Sequence, residues 1–134
     1  MGAYAVRVRL ILVRHAEAAP GEPDELRPLT RAGRDAAREL GDRLAGERPD
    51  AVLCSPLLRA RETAAAIATT AGLVAATDPR LAPGATLDDV RAAVAGRGET
   101  IVAVGHVPDL PDVVLGLTGE SIRFAPGGTF EVEL

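Results

Sequence analysis

The sequence contains no lysine and no tryptophan, and only one cysteine, one tyrosine and two phenylalanines in 134 residues. Each shortage excludes something. A lone Cys54 cannot form an internal disulfide, so a cytoplasmic setting is expected. Two isolated histidines and no cysteine pair give no metal-ligand spacing, so neither a metal nor another cofactor is expected. Tyr4, Phe124 and Phe130 are too few for a base-stacking surface. Together with a net charge of −4, that argues against a nucleic-acid partner. No apolar run approaches the roughly 18 residues of a membrane span. The opening "MGAYAVRVRLILV" is too short in its apolar part for a signal peptide and has no small-residue cleavage site. The Met-Gly start carries Val6 where a myristoylation signal needs Ser or Thr.

What remains is an ordinary soluble globular composition, 47% hydrophobic and 25% charged. The length fits one domain over residues 1–134. Because all side-chain cations except histidine are arginine, any anion site must be built from guanidinium forks, which grip phosphate bidentately. The abundance of Ala, Arg and Gly also fits a GC-rich genome.

The hydrophobic pattern gives an order of elements. Val6 to Val13 reads as a strand, alternating and then continuously apolar, as in a sheet covered on both faces. Residues 16–28, with three prolines, read as a loop. Thr30 caps a helix to about Gly46. "AVLCS" is a short strand, and Ser55-Pro56 starts a helix that Gly72 ends, with Ser55 as its cap. "LVAAT" is a weak strand. "TLDD", Thr86 to Asp89, is a capping box opening a helix to about Ala95. "ETIVAVGH" is the second strong strand. Asp109 caps a helix toward Leu117. The tail, from Ile122, holds a "PGG" turn between extended pieces, which predicts a hairpin or edge strands. Strand and helix alternate, so the expected fold is a three-layer α/β/α sandwich with a mostly parallel central sheet.

Three strands end in polar residues: Arg14-His15 after the first, Ser55 and then Arg59 after the second, Gly105-His106 after the fourth. Ligands of open α/β sheets bind outside the carboxyl ends of strands. The only two histidines in the chain both fall there, beside two arginines. A transferring phosphoryl group spreads charge over three oxygens, and fixed positive charge is what stabilises it. Arginines beside a histidine also disfavour its protonation and keep it a nucleophile at neutral pH. Its other ring nitrogen then needs a carboxylate or backbone carbonyl to fix one tautomer. Donors at the start of the helix after Ser55 add to the anion site.

The segments "LVRHAEA", "RPLTRAG", "SPLLRARETA" and "VGH", in that order, resemble the histidine phosphatase superfamily, also called the phosphoglycerate-mutase-like family. The resemblance runs from about residue 8 to 117. The compact size and the "RHAEA … RPLT" form are most similar to its SixA-type phosphohistidine phosphatase branch. It implies that His15 takes the phosphoryl group, that Arg14 and Arg59 hold its oxygens and that His106 completes the pocket. It further implies that Arg27 reaches the substrate from the loop. Glu17 and Ser55 match motif positions, Glu17 as a carboxylate that orients the arginines. Ala16 stands where Arg-His-Gly is usual and is expected to place a Cβ near the phosphate.

Larger relatives carry a glutamate acid after a similar "RL", where this chain has Ala82 and Pro83. An ester leaving group needs such an acid. An imidazole with its other nitrogen protonated leaves as a neutral ring, so the pattern suits an N–P bond. Asp109 is a possible substitute acid, set against its role as a helix cap. The expected partner is a phosphorylated protein or a small phosphorylated substrate. Alternatives are a small-molecule phosphomonoesterase on sugar phosphates or nucleotides, a mutase, or a phospho-ligand binding module without turnover. A cysteine phosphatase is excluded by spacing, since Ala60 stands where Cys54 would need an arginine. The loop acids Glu22, Asp24 and Glu25 are expected to be a solvated edge, with repulsion of anions or attraction of a basic partner as alternatives.

Overall fold

The computed structural model describes residues 7–134, so Tyr4 and the expected strand start at Val6 lie outside the described residues. The apolar run after Arg7 forms β1 (Arg9–Arg14), and β2 (Ala51–Cys54), β3 (Ala76–Thr77), β4 (Thr100–Gly105) and β5 (Thr129–Glu133) complete one sheet. The strand order is β3-β2-β4-β1-β5. All pairings are parallel except β1 with β5, which is antiparallel.

Alternation along the central strands sorts the core into two layers. Leu10, Leu12, Leu53, Ile101 and Ala103 pack with Val90, Val94, Val113 and Val114, which come from α3 (Leu87–Val94) and α4 (Asp109–Thr118). Ile11, Val13, Val52, Val102 and Val104 pack with Leu40, Leu44, Ala64 and Ile67 of α1 (Arg31–Ala45) and α2 (Leu58–Ala71). The sandwich therefore has three layers, as the alternating pattern predicts.

Local signals set most helix ends. The Thr30 side chain accepts from the Gly33 N–H, capping α1. Thr86 and Asp89 form the reciprocal capping box of α3. Gly72, with φ +73°, closes α2 in the left-handed conformation. Gly33 is required for a different reason: a Cβ there would stand 2.1 Å from the Glu17 carbonyl oxygen.

Two expectations need correction. Helix α2 starts at Leu58 with Leu57 at its cap, not at Ser55. Pro108, not Asp109, caps α4. Of the two readings of the tail, the edge strand holds, as β5; residues before the Gly127-Gly128 turn run alongside Arg14 instead of pairing as a strand.

Candidate active site

Strand register brings the two histidines together. Arg14 pairs with Gly105 across the parallel β1–β4 ladder, so His15 and His106 are the next residues off adjacent strands. The His15 N–H donates to the Gly105 carbonyl at 3.1 Å. The ring centroids are 5.3 Å apart and tilted by 57°. On the other side, Cys54 pairs with Val104, which sets Ser55 beside His106. Ser55 Oγ lies 2.7 Å from His106 Nε2, and both residues are buried.

Hydrogen bonds assign the tautomers. His15 Nδ1 lies 2.7 Å from the Ala16 carbonyl oxygen. A carbonyl only accepts, so Nδ1 carries the hydrogen and Nε2 presents a lone pair. The Ser55 oxygen accepts the Leu57 N–H at 3.2 Å. Ser55 keeps its own hydrogen, which can point to His106 Nε2; in that arrangement the His106 proton sits on Nδ1. Burial is the main force holding His15 below its usual pKa of 6.5, with Arg59, Arg14 and Arg27 adding to it against the Ala16 carbonyl. The arginines expected to lower it are thus secondary to burial. Burial, then His15 and Arg59, push His106 down to about 4. Both rings are neutral at neutral pH.

Three arginines lie near enough to His15 to lower its pKa, and two of them, Arg59 and Arg14, act on His106 as well. Arg59, in the first turn of α2, is 7% exposed. Its NH1 donates to the Asp24 carbonyl at 2.9 Å and its NH2 to Asp24 Oδ2 at 3.2 Å. Arg27 donates from Nε to the Ala19 carbonyl at 2.8 Å and from NH1 to Asp24 Oδ1 at 3.1 Å. Arg14 NH1 donates to the Phe124 carbonyl at 2.9 Å. Its Nε is buried and has no hydrogen-bond partner among the described residues.

Other expected residues behave differently. Glu17 makes no ion pair with an arginine among the described residues: its Oε1 accepts from the Thr30 hydroxyl at 2.8 Å and its carbonyl from the Thr30 N–H at 3.0 Å. It pins the start of α1 instead of orienting the cations. Asp109 Oδ2 accepts from the Gly84 and Ala85 N–H groups at 2.9 and 3.3 Å. It anchors the loop before α3. The Ala16 side chain packs with Leu29 and Ala37, not as an intrusion on the anion site. Leu57 N–H, one of the donors expected at the start of α2, is taken by Ser55. Asp24 is not simply a solvated acid, since both its oxygens hold arginines. Cys54 is buried, and burial raises its thiol pKa. Among the described residues no group of three or more His, Cys, Asp or Glu could hold a metal ion, and no helix is long and apolar enough to cross a membrane.

Sequence reasoning missed two supports. Thr63 Oγ1 accepts the Ala16 N–H at 3.0 Å and donates to the Arg59 carbonyl at 2.8 Å. Its signal is the four-residue spacing from Arg59, which puts both on one face of α2. Gly127, with φ +74°, shares its N–H between the Arg14 and His15 carbonyls, 3.1 Å from each. The "PGG" turn was legible as a turn, but nothing local places it under His15.

The comparisons agree with this architecture. The model of the histidine phosphatase superfamily (branch 1) matches residues 10–83. No curated protein sequence matches the chain. A structure from Nakamurella multipartitia, described as a phosphohistidine phosphatase SixA, is 35% identical with a TM-score of 0.73, over 84% of this chain and 67% of that one. The protein histidine phosphatase SixA complexed with tungstate is 28% identical with a TM-score of 0.82, over 92% and 86% of the two chains. A structure from Agrobacterium tumefaciens, also described as SixA, is 31% identical with a TM-score of 0.71, over 84% and 78%. The strand-end histidines, the arginines around them and a family match covering more than half of the sequence lead to one conclusion: this chain belongs to the histidine phosphatase superfamily.

Proposed function

We propose that residues 1–134 form one catalytic domain that removes phosphoryl groups through a phosphohistidine intermediate on His15, without a metal, and that its substrate is a phosphohistidine side chain of a protein. The observation that carries this reading is the His15 ring itself. Its Nδ1 is tied to the Ala16 carbonyl, its Nε2 lone pair is free, and the second imidazole stands 5.3 Å away.

In the first step Nε2 of His15 forms a bond to phosphorus as the substrate's P–N bond breaks. The departing imidazole keeps the electron pair and leaves neutral, its other nitrogen bearing a proton. In the second step water attacks phosphorus, the bond to His15 breaks and inorganic phosphate departs. Arg14, Arg27 and Arg59 offset the charge on the equatorial oxygens, and His106 Nδ1–H donates to one of them. Arg14 Nε, buried without a partner, gains an acceptor when an oxyanion binds. Leaving such a donor unmet costs about 1–3 kcal/mol.

Two things favour an N–P substrate over an ester. Ala82 and Pro83 supply no acid, and Asp109 Oδ2 is occupied by the loop amides. The three solved relatives above are described as SixA, one of them bound to tungstate, a tetrahedral oxyanion like phosphate. A substrate panel tests the reading. Phosphohistidine should be hydrolysed with a kcat/KM several orders of magnitude above aryl or sugar phosphates. A preference for a sugar phosphate or nucleotide would replace it with a small-molecule phosphomonoesterase, and phosphate binding with no turnover of any substrate would leave a binding module.

A further inference from the structure

The carboxylate of Asp24 bridges two of the arginines that surround the histidine pair. Oδ1 holds Arg27 NH1 at 3.1 Å and Oδ2 holds Arg59 NH2 at 3.2 Å. The Asp24 main-chain oxygen takes Arg59 NH1 as well, at 2.9 Å. Two oxygens of a planar anion thus engage two guanidinium groups in the manner of phosphoryl oxygens. The residue sits in a short 3-10 turn, Asp24–Leu26, with no buried residue in it. Its side chain is 59% exposed. Nothing in the core prevents the carboxylate from swinging out. Arg27 and then Arg59 hold its pKa below the usual carboxylate value, so it is an anion at neutral pH.

We infer that Asp24 is a specificity-determining residue which occupies the arginine cradle as an internal anion and must be displaced by the incoming phosphoryl group. The inference rests on the phosphatase reading of the same site and adds a selection rule to it. A free inorganic phosphate or a small polyanion has only its oxygens with which to displace Asp24. A phosphoryl group carried on a protein surface brings further contacts from its carrier. Asp24 therefore disfavours small anionic ligands more than protein-borne ones, and by re-seating after hydrolysis it expels the phosphate product. A second carboxylate on a small substrate, beside the phosphoryl group, would meet Asp24 as a like charge.

The test is calorimetric titration of the full chain with inorganic phosphate, which needs no turnover. Asp24→Asn keeps the shape and removes the charge. Exchanging two part-exposed ion pairs for neutral contacts is worth on the order of tenfold, so the variant should bind phosphate roughly tenfold more tightly. Its KM for an aryl phosphate should fall with it. Asp24→Ala, which also removes the hydrogen bonds, should do the same. Glu22→Gln is the control: Glu22 is exposed in the same loop and makes no ion pair among the described residues, so phosphate affinity should not change. Weaker phosphate binding by both Asp24 variants would overturn the inference, because it would mean Asp24 holds Arg59 in place for the ligand. Equal tightening by Glu22→Gln would overturn it too, since bulk loop charge would then be the cause. If wild type proves inactive on every substrate yet Asp24→Asn binds phosphate more tightly, the phosphatase reading fails and the displacement stands.

Discussion

Ser55→Ala removes one oxygen and should damage the site out of proportion to its size. Ser55 is fully buried, and His106 is 3% exposed. The hydroxyl lies 2.7 Å from His106 Nε2 and accepts the Leu57 N–H at 3.2 Å. Alanine leaves both groups without that partner in a place water reaches poorly. Each unmet buried group costs about 1–3 kcal/mol, so the loss in folding free energy should be about 2–6 kcal/mol. The catalytic effect has a separate origin. Without the hydroxyl, nothing assigns the proton of His106 to Nδ1, and the donor facing the phosphoryl oxygens is lost from part of the population. Removing one such donor outright costs about 100- to 1000-fold; its loss from part of the population has that as a ceiling, and the loss should fall on kcat more than on KM. Urea unfolding gives the first quantity, and steady-state kinetics on an aryl phosphate the second. A variant with stability within about 0.5 kcal/mol of wild type and unchanged kcat would refute both the buried bond and the tautomer argument.

The pH dependence of stability has a definite sign. His106 is pushed from its ordinary 6.5 down to about 4, and His15 is also lowered. The unfolded chain therefore takes up protons first as pH falls below 6.5. The stability held by neutral rings is complete above that value and is lost toward pH 4, by roughly 3 kcal/mol for His106 alone. The lowered carboxylates of Asp24, Asp50, Asp78, Asp89 and Glu131 act below their own ordinary values of 3.8 to 4.5, so the window above about pH 4.5 belongs to the histidines. Urea midpoints at pH 7 and 4.5 check this, and a flat profile contradicts it. Gly33→Ala should destabilise the chain strongly, because its Cβ would stand 2.1 Å from the Glu17 carbonyl oxygen; thermal unfolding reads the loss, and an unshifted midpoint contradicts it. Arg59→Ala should lower kcat/KM by on the order of a hundredfold or more, while exhaustive chelation leaves wild-type activity intact; activity lost to chelator and restored by zinc would overturn the metal-free mechanism.

The parts of this structure that were legible are those set by local pattern. Continuous apolar runs gave β1 and β4, and their shared polar endings pointed to Arg14, His15 and His106 at one edge. Thr30, Gly72 and the Thr86–Asp89 box marked helix ends because caps act within one turn. The misreadings share a physical cause: a side chain with a good local use found a better distant one. Ser55 looked like a helix cap, but His106, 51 residues away in sequence, takes its hydroxyl. Asp109 looked like another cap, and its carboxylate goes to a loop 24 and 25 residues earlier. Asp24 read as one solvated acid among three, yet Arg59 lies 35 residues beyond it. The Phe124 carbonyl under Arg14 is 110 residues from it, and no periodicity reports a contact of that span. "LVAAT" shrank to Ala76–Thr77, with Val74 left 92% exposed, because only its last residues pair with β2.

The central claim is that His15 Nε2 carries the phosphoryl group between substrate and water. Rapid quench of the enzyme with a phosphorus-labelled substrate, followed by peptide mapping under alkaline conditions that preserve P–N bonds, tests it directly. Label should appear on the peptide containing His15, at the Nε2 position by phosphorus NMR, and should vanish in His15→Ala. Label on His106, or turnover retained at wild-type rate by His15→Ala, would contradict the account.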